Sequence, residues 1–326
     1  MRLVMIGTGP FGVPTFRSLY DTYHTIVALV TSPIVPDRKG RKIPPSKLRE
    51  IALEHQTPIY EPADINSPES QALLRSFEAD LLVVCDYGQI LSGMTLATAR
   101  LGGINLHASL LPKYRGAAPI NWAIYHGETE TGVSVIHMTP KVDAGPIIAQ
   151  GRVSIDPDET AEELERRLAE IGAWFVRRSI DSLEAGLLEA LPQDPALASK
   201  APRLKKSDGL IRWERPAEAI RNHIRAMVPW PRTYTYWYQP KRPPVRLIIG
   251  KSVVDSLRDD ETPVSPGTVL SAGKEGVRVM TGEGVLRILE LQPAGRRMMR
   301  AEEFVRGYRI EAGHRLGPEA EVSAAT

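Results

Sequence analysis

Short, almost purely apolar runs alternate with amphipathic stretches through the first two hundred residues. Residues 2–7, 25–31 and 80–86 are rich in Val, Ile and Leu and nearly free of polar positions, the pattern of strands buried on both faces. Stretches 11–20, 46–55 and 68–77 read as the helices between them. Two more strands are expected at 103–107 and 132–138, separated by a helix over 117–125, with an added strand at 147–155. A long helix is predicted over 161–183, after the capping residues Asp158 and Thr160, with Leu164, Leu168, Ile171, Phe175 and Ile180 on its apolar face. Such alternation predicts a doubly wound α/β domain around a mainly parallel sheet.

Periodicity fades at 186–206, where Pro192, Pro195 and Pro202 lie among small residues, and this stretch reads as a linker. Beyond it comes a helix at 217–227, then short β-rich runs at 233–238, 245–249, 267–270, 277–280 and 285–291, with Gly and Pro between them. That pattern predicts a small antiparallel, OB-like barrel. The division expected is therefore 1–185, a linker at 186–206, a second domain at 207–315, and a disordered tail at 316–326.

Composition changes this picture only in places. Hydrophobic content of 42% and charged content of 25% are those of an ordinary globular chain. The lone cysteine, Cys85, has no partner for a bridge and sits in an apolar run, which favours a reduced, cytoplasmic setting. No apolar run approaches the roughly 20 residues a bilayer demands, and no signal peptide opens the chain, so no membrane partner is expected. The net charge of +2 conceals an asymmetry: residues 201–326 carry 22 Lys and Arg against 15 Asp and Glu. A basic C-terminal part suggests a polyanionic partner, although chance surface bias would look the same.

Gly7-Thr8-Gly9-Pro10-Phe11-Gly12 has the spacing of a dinucleotide-binding turn and follows the first strand. A ribose-binding carboxylate should then close the second strand, but that strand ends Val30-Thr31-Ser32-Pro33. A tight strand-to-helix turn is the better reading.

A second constellation carries more chemistry. Asn105 and His107 lie two apart at the end of a strand, so they share a face. Asp143 lies just past the 132–138 strand, and ligands of parallel sheets collect beyond strand ends. An amide, an imidazole and a carboxylate suffice to assist attack on a carbonyl without a protein nucleophile. Taken singly, each could equally be a cap, a core histidine or a turn former. The histidines show no ligand spacing and there is no Cys-x-x-Cys, so no metal is expected.

The block from Ile104 to Pro112 (INLHASLLP), with RGAAPI at 115–120, Thr131-Gly132-Val133 and the distant Asp143-Ala144-Gly145, closely resembles the formyltransferase family that uses 10-formyltetrahydrofolate. The resemblance extends to about Met299. It implies a Rossmann-like formyltransferase fold, catalytic roles for Asn105, His107 and Asp143, and a folate pocket lined by Ser109, Leu110, Leu111 and Pro112, bordered by Tyr87 and Gly88. Members differ in the amine they formylate. The segments KKSDGLIRW at 205–213, Ile220-Arg221-Asn222, Pro229-Trp230-Pro231 and LQPAGRRM at 291–298 resemble the members acting on initiator methionyl-tRNA, with a nucleotide-linked amino sugar as the alternative acceptor. That resemblance implies tRNA contacts from Arg38, Lys39, Arg41, Lys42, Lys205 and Lys206, Arg41 foremost, and a monomer. Three positions depart from the pattern. The first loop of the family reads Gly-Thr-Pro-x-Phe-Ala where this chain has Gly9 and Gly12, and Asp86 stands where a small residue is common.

Overall fold

The computed structural model describes residues 1–34, 46–239 and 242–319. They form two compact units that interleave along the chain. One comprises Met1–Pro119, Glu130–Ser154 and Glu163–Pro202; the other comprises Ile120–Thr129, Ile155–Glu162 and Arg203–Thr326. The unit boundaries thus depart from a simple division in sequence, because 120–129 and 155–162 join the C-terminal unit.

The first unit contains β1 (Arg2–Gly7), α1 (Val13–Leu19), β2 (Thr25–Val30), α2 (Lys47–Glu54), β3 (Ile59–Tyr60), α3 (Pro68–Ser76), β4 (Leu81–Cys85), α4 (Gly93–Leu96) and β5 (Gly103–His107). After α5 (Pro119–Tyr125), which is almost wholly part of the other unit, come β6 (Glu130–His137), β7 (Ile147–Ser154) and the long α6 (Ala161–Glu184). The strands assemble in the order β3-β2-β1-β4-β5-β6-β7. The first five are parallel, as their two-sided burial predicts, and β1 and β4 are apolar and buried along nearly their whole length. β6 and β7 are antiparallel additions. Glycine is required where β1 ends: a Cβ on Gly7 would lie 2.5 Å from the Cys85 carbonyl oxygen and 2.7 Å from the Phe16 ring.

The second unit contains α7 (Ala217–Ala226), β8 (Thr233–Gln239), β9 (Arg242–Asp255), β10 (Val269–Gly273), β11 (Gly276–Met280), β12 (Val285–Pro293), β13 (Met299–Arg300), α8 (Ala301–Tyr308) and β14 (Arg315–Gly317). Its antiparallel strands run β10-β11-β12-β9-β8-β14. A bridge between Thr268 and Arg315 ties the two ends, so the sheet curls into the expected barrel. Trp213, Trp237, Leu247, Val277, Ile288, Phe304 and Leu316 are among the apolar side chains that fill it. The helix α8 was not apparent in the sequence. Leu316 and Gly317, assigned there to a disordered tail, instead pair with Trp237 and Tyr236.

The supposed linker also differs from expectation. Ile147 and Leu191 exchange two backbone hydrogen bonds, at 2.8 and 2.9 Å. Arg115 N donates to the Ser199 carbonyl at 2.8 Å and Ala201 N to the Arg115 carbonyl at 2.7 Å. Residues 191–201 therefore form a strap bonded to the loops after β5 and before β7. Loss of helical periodicity marks it as irregular, but irregular backbone can be fully paired.

Candidate active site

The strap's partners are the loops that carry the expected catalytic residues. Asn105 lies within β5, half-buried, between Val84 of β4 and Ile136 of β6. Among the described residues no group hydrogen-bonds its side-chain amide. His107 ends the strand and is buried, with Nε2 2.9 Å from the Tyr114 carbonyl oxygen. A carbonyl only accepts, so Nε2 carries the proton. The other ring nitrogen, Nδ1, faces Asp143 Oδ2 at 3.6 Å, an ion-pair separation longer than a hydrogen bond.

Asp143 reaches this point differently from the sequence argument. β6 runs antiparallel to β5, so its C-terminal His137 lies beside Ile104, at the far end of β5 from His107. The loop after β6 instead carries Asp143 back to the histidine. There Asp143 adopts φ +48°, and its Oδ2 accepts from Gly116 N at 2.9 Å. Tyr114, which supplies the carbonyl to His107, has φ +63°. Left-handed backbone at non-glycine residues costs about 1–3 kcal/mol each and persists only where neighbours enforce it.

The strap supplies that enforcement. Gln193 Nε2 donates to the carbonyls of Asp143 at 2.8 Å and Gly145 at 2.7 Å, while its Oε1 accepts from Arg115 at 3.1 and 2.7 Å. Ser199 Oγ accepts from Tyr114 N at 2.9 Å. One amide thus joins the loop bearing Asp143 to the loop bearing Tyr114 and Arg115. Sequence reasoning missed Gln193, and a lone glutamine among prolines offers no signal by which to find it.

The segment 109–112 is placed with similar economy. Ser109 and Leu111 are buried, whereas Leu110 and Pro112 are half-buried. The Ser109 hydroxyl donates to the Lys113 carbonyl at 2.7 Å; Ser134 Oγ donates to the Ser109 carbonyl at 2.6 Å and accepts from Leu111 N at 3.1 Å. Gln150 Nε2 completes the set by donating to the Leu111 carbonyl at 3.0 Å. The Ser109 side chain and the Leu111 backbone therefore shape the loop. Tyr87 packs on the apolar cluster under β4, and its hydroxyl is buried with no hydrogen-bond partner among the described residues; burial pushes its pKa up to about 12. Gly88 is exposed, and a Cβ there would meet nothing within 4 Å.

The glycine-rich turn proves to be a structural one. The space beside Gly9, where a pyrophosphate would approach the backbone, holds the carboxylate of Asp86, and the Phe11 N–H donates to it. Cys85 is fully buried, and burial drives its thiol pKa up, so it is no nucleophile. Lys205 and Lys206 are exposed. Arg38, Lys39, Arg41 and Lys42 lie outside the described residues. Among the described residues no group of three or more His, Cys, Asp or Glu side chains could hold a metal, and no helix is long and apolar enough to cross a membrane.

Residues 1–180 match the family described as formyl transferase, and residues 203–309 match its C-terminal domain. The chain belongs to the formyl transferase family. This formyltransferase is 44% identical to the methionyl-tRNA formyltransferase of Rhodopirellula baltica, over 97% of this chain and 96% of the relative. It is 40% identical to that of Geobacter metallireducens, over 97% and 99%. Its fold is shared with WlaRD, a sugar 3N-formyl transferase solved with dTDP and 5-N-formyl-THF (TM-score 0.65, 18% identity, 91% of this chain and 99% of the other). It is shared too with an N-formyltransferase from Helicobacter canadensis (TM-score 0.65, 17% identity, 88% and 98%).

Proposed function

We propose that this formyltransferase moves the formyl group of 10-formyltetrahydrofolate to the free amino group of methionyl initiator tRNA. The observation that carries the reading is the His107–Asp143 pair beside the unbonded Asn105 amide, in a chain whose near-full-length relatives bear the methionyl-tRNA formyltransferase name. When bound, the folate supplies an activated formyl carbonyl. Leu110, Pro112, Tyr87 and Gly88 border its place, and the open backbone at Gly88 fits close approach of a flat ring. Ser109 and Leu111 act behind them by fixing the loop.

Asn105 donates its amide N–H to the formyl oxygen as charge grows there. His107 has Nε2 committed to Tyr114, so only Nδ1 is left to serve the reaction. As an imidazolium it presents Nδ1–H towards the oxyanion, and Asp143 steadies that charge. Asp143 also accepts the proton the amine must lose, matching the one required by the departing nitrogen. Donors already aimed at the developing charge stabilise it without reorganisation, an effect of about 3–4 kcal/mol per donor. No protein acyl intermediate is formed. Lys205 and Lys206, with Arg38, Lys39, Arg41 and Lys42, neutralise phosphates of the acceptor RNA. The enzyme acts as a cytoplasmic monomer. Offering the full chain charged initiator tRNA, uncharged tRNA and a nucleotide-linked amino sugar tests the acceptor. Transfer to the charged tRNA alone is expected, whereas transfer to the sugar alone would keep the chemistry and overturn the acceptor.

A further inference from the structure

Two of the three positions at which the chain leaves its family's pattern, Gly9 and Asp86, touch one another. A Cβ built on Gly9 would lie 1.6 Å from Asp86 Oδ2 and 2.5 Å from its Cγ. Only glycine at position 9 is compatible with the carboxylate where it stands. The same turn grips Asp86 from its backbone: Thr8 N and Gly9 N donate to the Asp86 carbonyl at 3.0 and 3.3 Å, and the Phe11 N–H donates to the carboxylate. Asp86 itself is held at φ +52°, a cost at a non-glycine residue that needs a return.

Asp86 is open to solvent, while the protein around its carboxyl withdraws enough water to raise its pKa. Sheet register places it at the reacting edge. Cys85, the last residue of β4, pairs with Leu106 of parallel β5, so Asp86 follows β4 at the edge where His107 ends β5. Among the described residues no side-chain cation pairs with it. An ionised carboxylate has about four acceptor sites and nothing to donate, and the Phe11 N–H satisfies one of them. At this edge the formyl oxygen is itself an acceptor, already met by Asn105 and His107. The amine that is to be formylated is a donor that must come to this edge for the reaction to occur.

We propose that Asp86 is the counter-charge of the acceptor: its carboxylate, seated beside Gly9 at the end of β4, receives the acceptor's amino group as an ammonium and fixes it next to His107. This rests on the formyl-transfer reading and adds a recognition element to it. The carboxylate favours a cationic amine and opposes a phosphate at the same turn. Gly9 is the accommodation that lets it sit there, which is why both positions depart together.

The test is equilibrium binding of two acceptors to the full chain at neutral pH, initiator tRNA charged with methionine and the same tRNA charged with the 2-hydroxy acid analogue of methionine. The wild type is expected to prefer the amino form about tenfold, the worth of one charge-assisted hydrogen bond. Asp86→Asn keeps the shape and can still accept from Phe11 N, so a merely structural role would leave the preference intact. The account expects the preference to fall to within about twofold while affinity for the hydroxy form and for folate stays; Asp86→Ala should do the same. A preference retained in both variants, or equal weakening of both acceptors, overturns the proposal. Formyl transfer by the wild type, measured alongside, separates the two levels: transfer with an unchanged preference in Asp86→Asn sinks only the role of Asp86, and absent transfer sinks the reading beneath it as well.

Discussion

Two buried histidines, His107 at the sheet edge and His223 in the barrel unit, are anchored alike and serve different ends. Each gives Nε2 to a backbone carbonyl, Tyr114 at 2.9 Å and Asp208 at 2.6 Å. Around His223 the remaining surroundings are aromatic and cationic. The Tyr125 ring stands edge-on at 5.1 Å, and the Arg215 guanidinium lies over that same ring at 4.5 Å. Burial, against the pull of the Asp208 carbonyl and with a smaller push from Arg215, holds its pKa down to about 4. It is a neutral structural imidazole. His107 instead turns its second nitrogen towards a carboxylate, on loops whose backbone is strained at Tyr114 and Asp143. Arg278 makes the same point within the barrel unit: it is buried, but Asp255, Glu261 and the Ser256 carbonyl accept from all three of its nitrogens. Burial of a polar group does not mark a site. A valence left facing a charge and an opening does.

The comparison can be broken at the charge itself. Asp143→Asn keeps an oxygen for Gly116 N but removes the carboxylate from Nδ1, and kcat is expected to fall about 10²–10⁴-fold with the fold intact. Steady-state kinetics beside a circular dichroism spectrum check this; a loss below about threefold would make His107 no more special than His223. A smaller effect should come from the strap. Gln193→Met deletes the donors to the Asp143 and Gly145 carbonyls at similar volume, so kcat should drop about 10–100-fold with little change in KM for folate. A change confined to KM would reduce Gln193 to a pocket wall.

The smallest effect belongs to His223, and it falls on stability. Its folded pKa lies below the unfolded value, so the unfolded chain binds more protons between pH 6.5 and 4. Stability is therefore full above about pH 6.5 and is lost as pH falls towards 4, by an amount on the order of 3 kcal/mol. Urea unfolding across that range should show a steeper decline in the wild type than in His223→Gln. Parallel declines would contradict the assignment, and formyl transfer at neutral pH should be the same in both.

Much of the fold could be read because its strands are extreme. β1 and β4 are apolar enough to need cover on both faces, and that demand dictates a parallel sheet. Asn105, His107 and Asp143 were singled out by their motif, although the argument that joined Asp143 to the others assumed a strand direction that β6 does not have. Gln193 and Ser199 were invisible. They act through single polar atoms on backbone carbonyls and amides, which leave no periodic trace in a Pro-rich stretch. α8 was hidden by its length: eight residues that bury only Ala301 and Phe304 leave too short an apolar pattern to stand out. Asp86 was noticed as a departure, and its contact with Gly9 became apparent only in three dimensions.

The most direct test of direct transfer at this edge is single-turnover formyl transfer from 10-formyltetrahydrofolate to methionyl initiator tRNA, wild type beside Asn105→Ala. The Asn105 side-chain amide has no hydrogen-bond partner among the described residues, so its removal should spare folding and folate binding while the transfer rate falls about 10²–10³-fold. A variant rate within about twofold of the wild type would show that the oxyanion is held elsewhere and contradict the account.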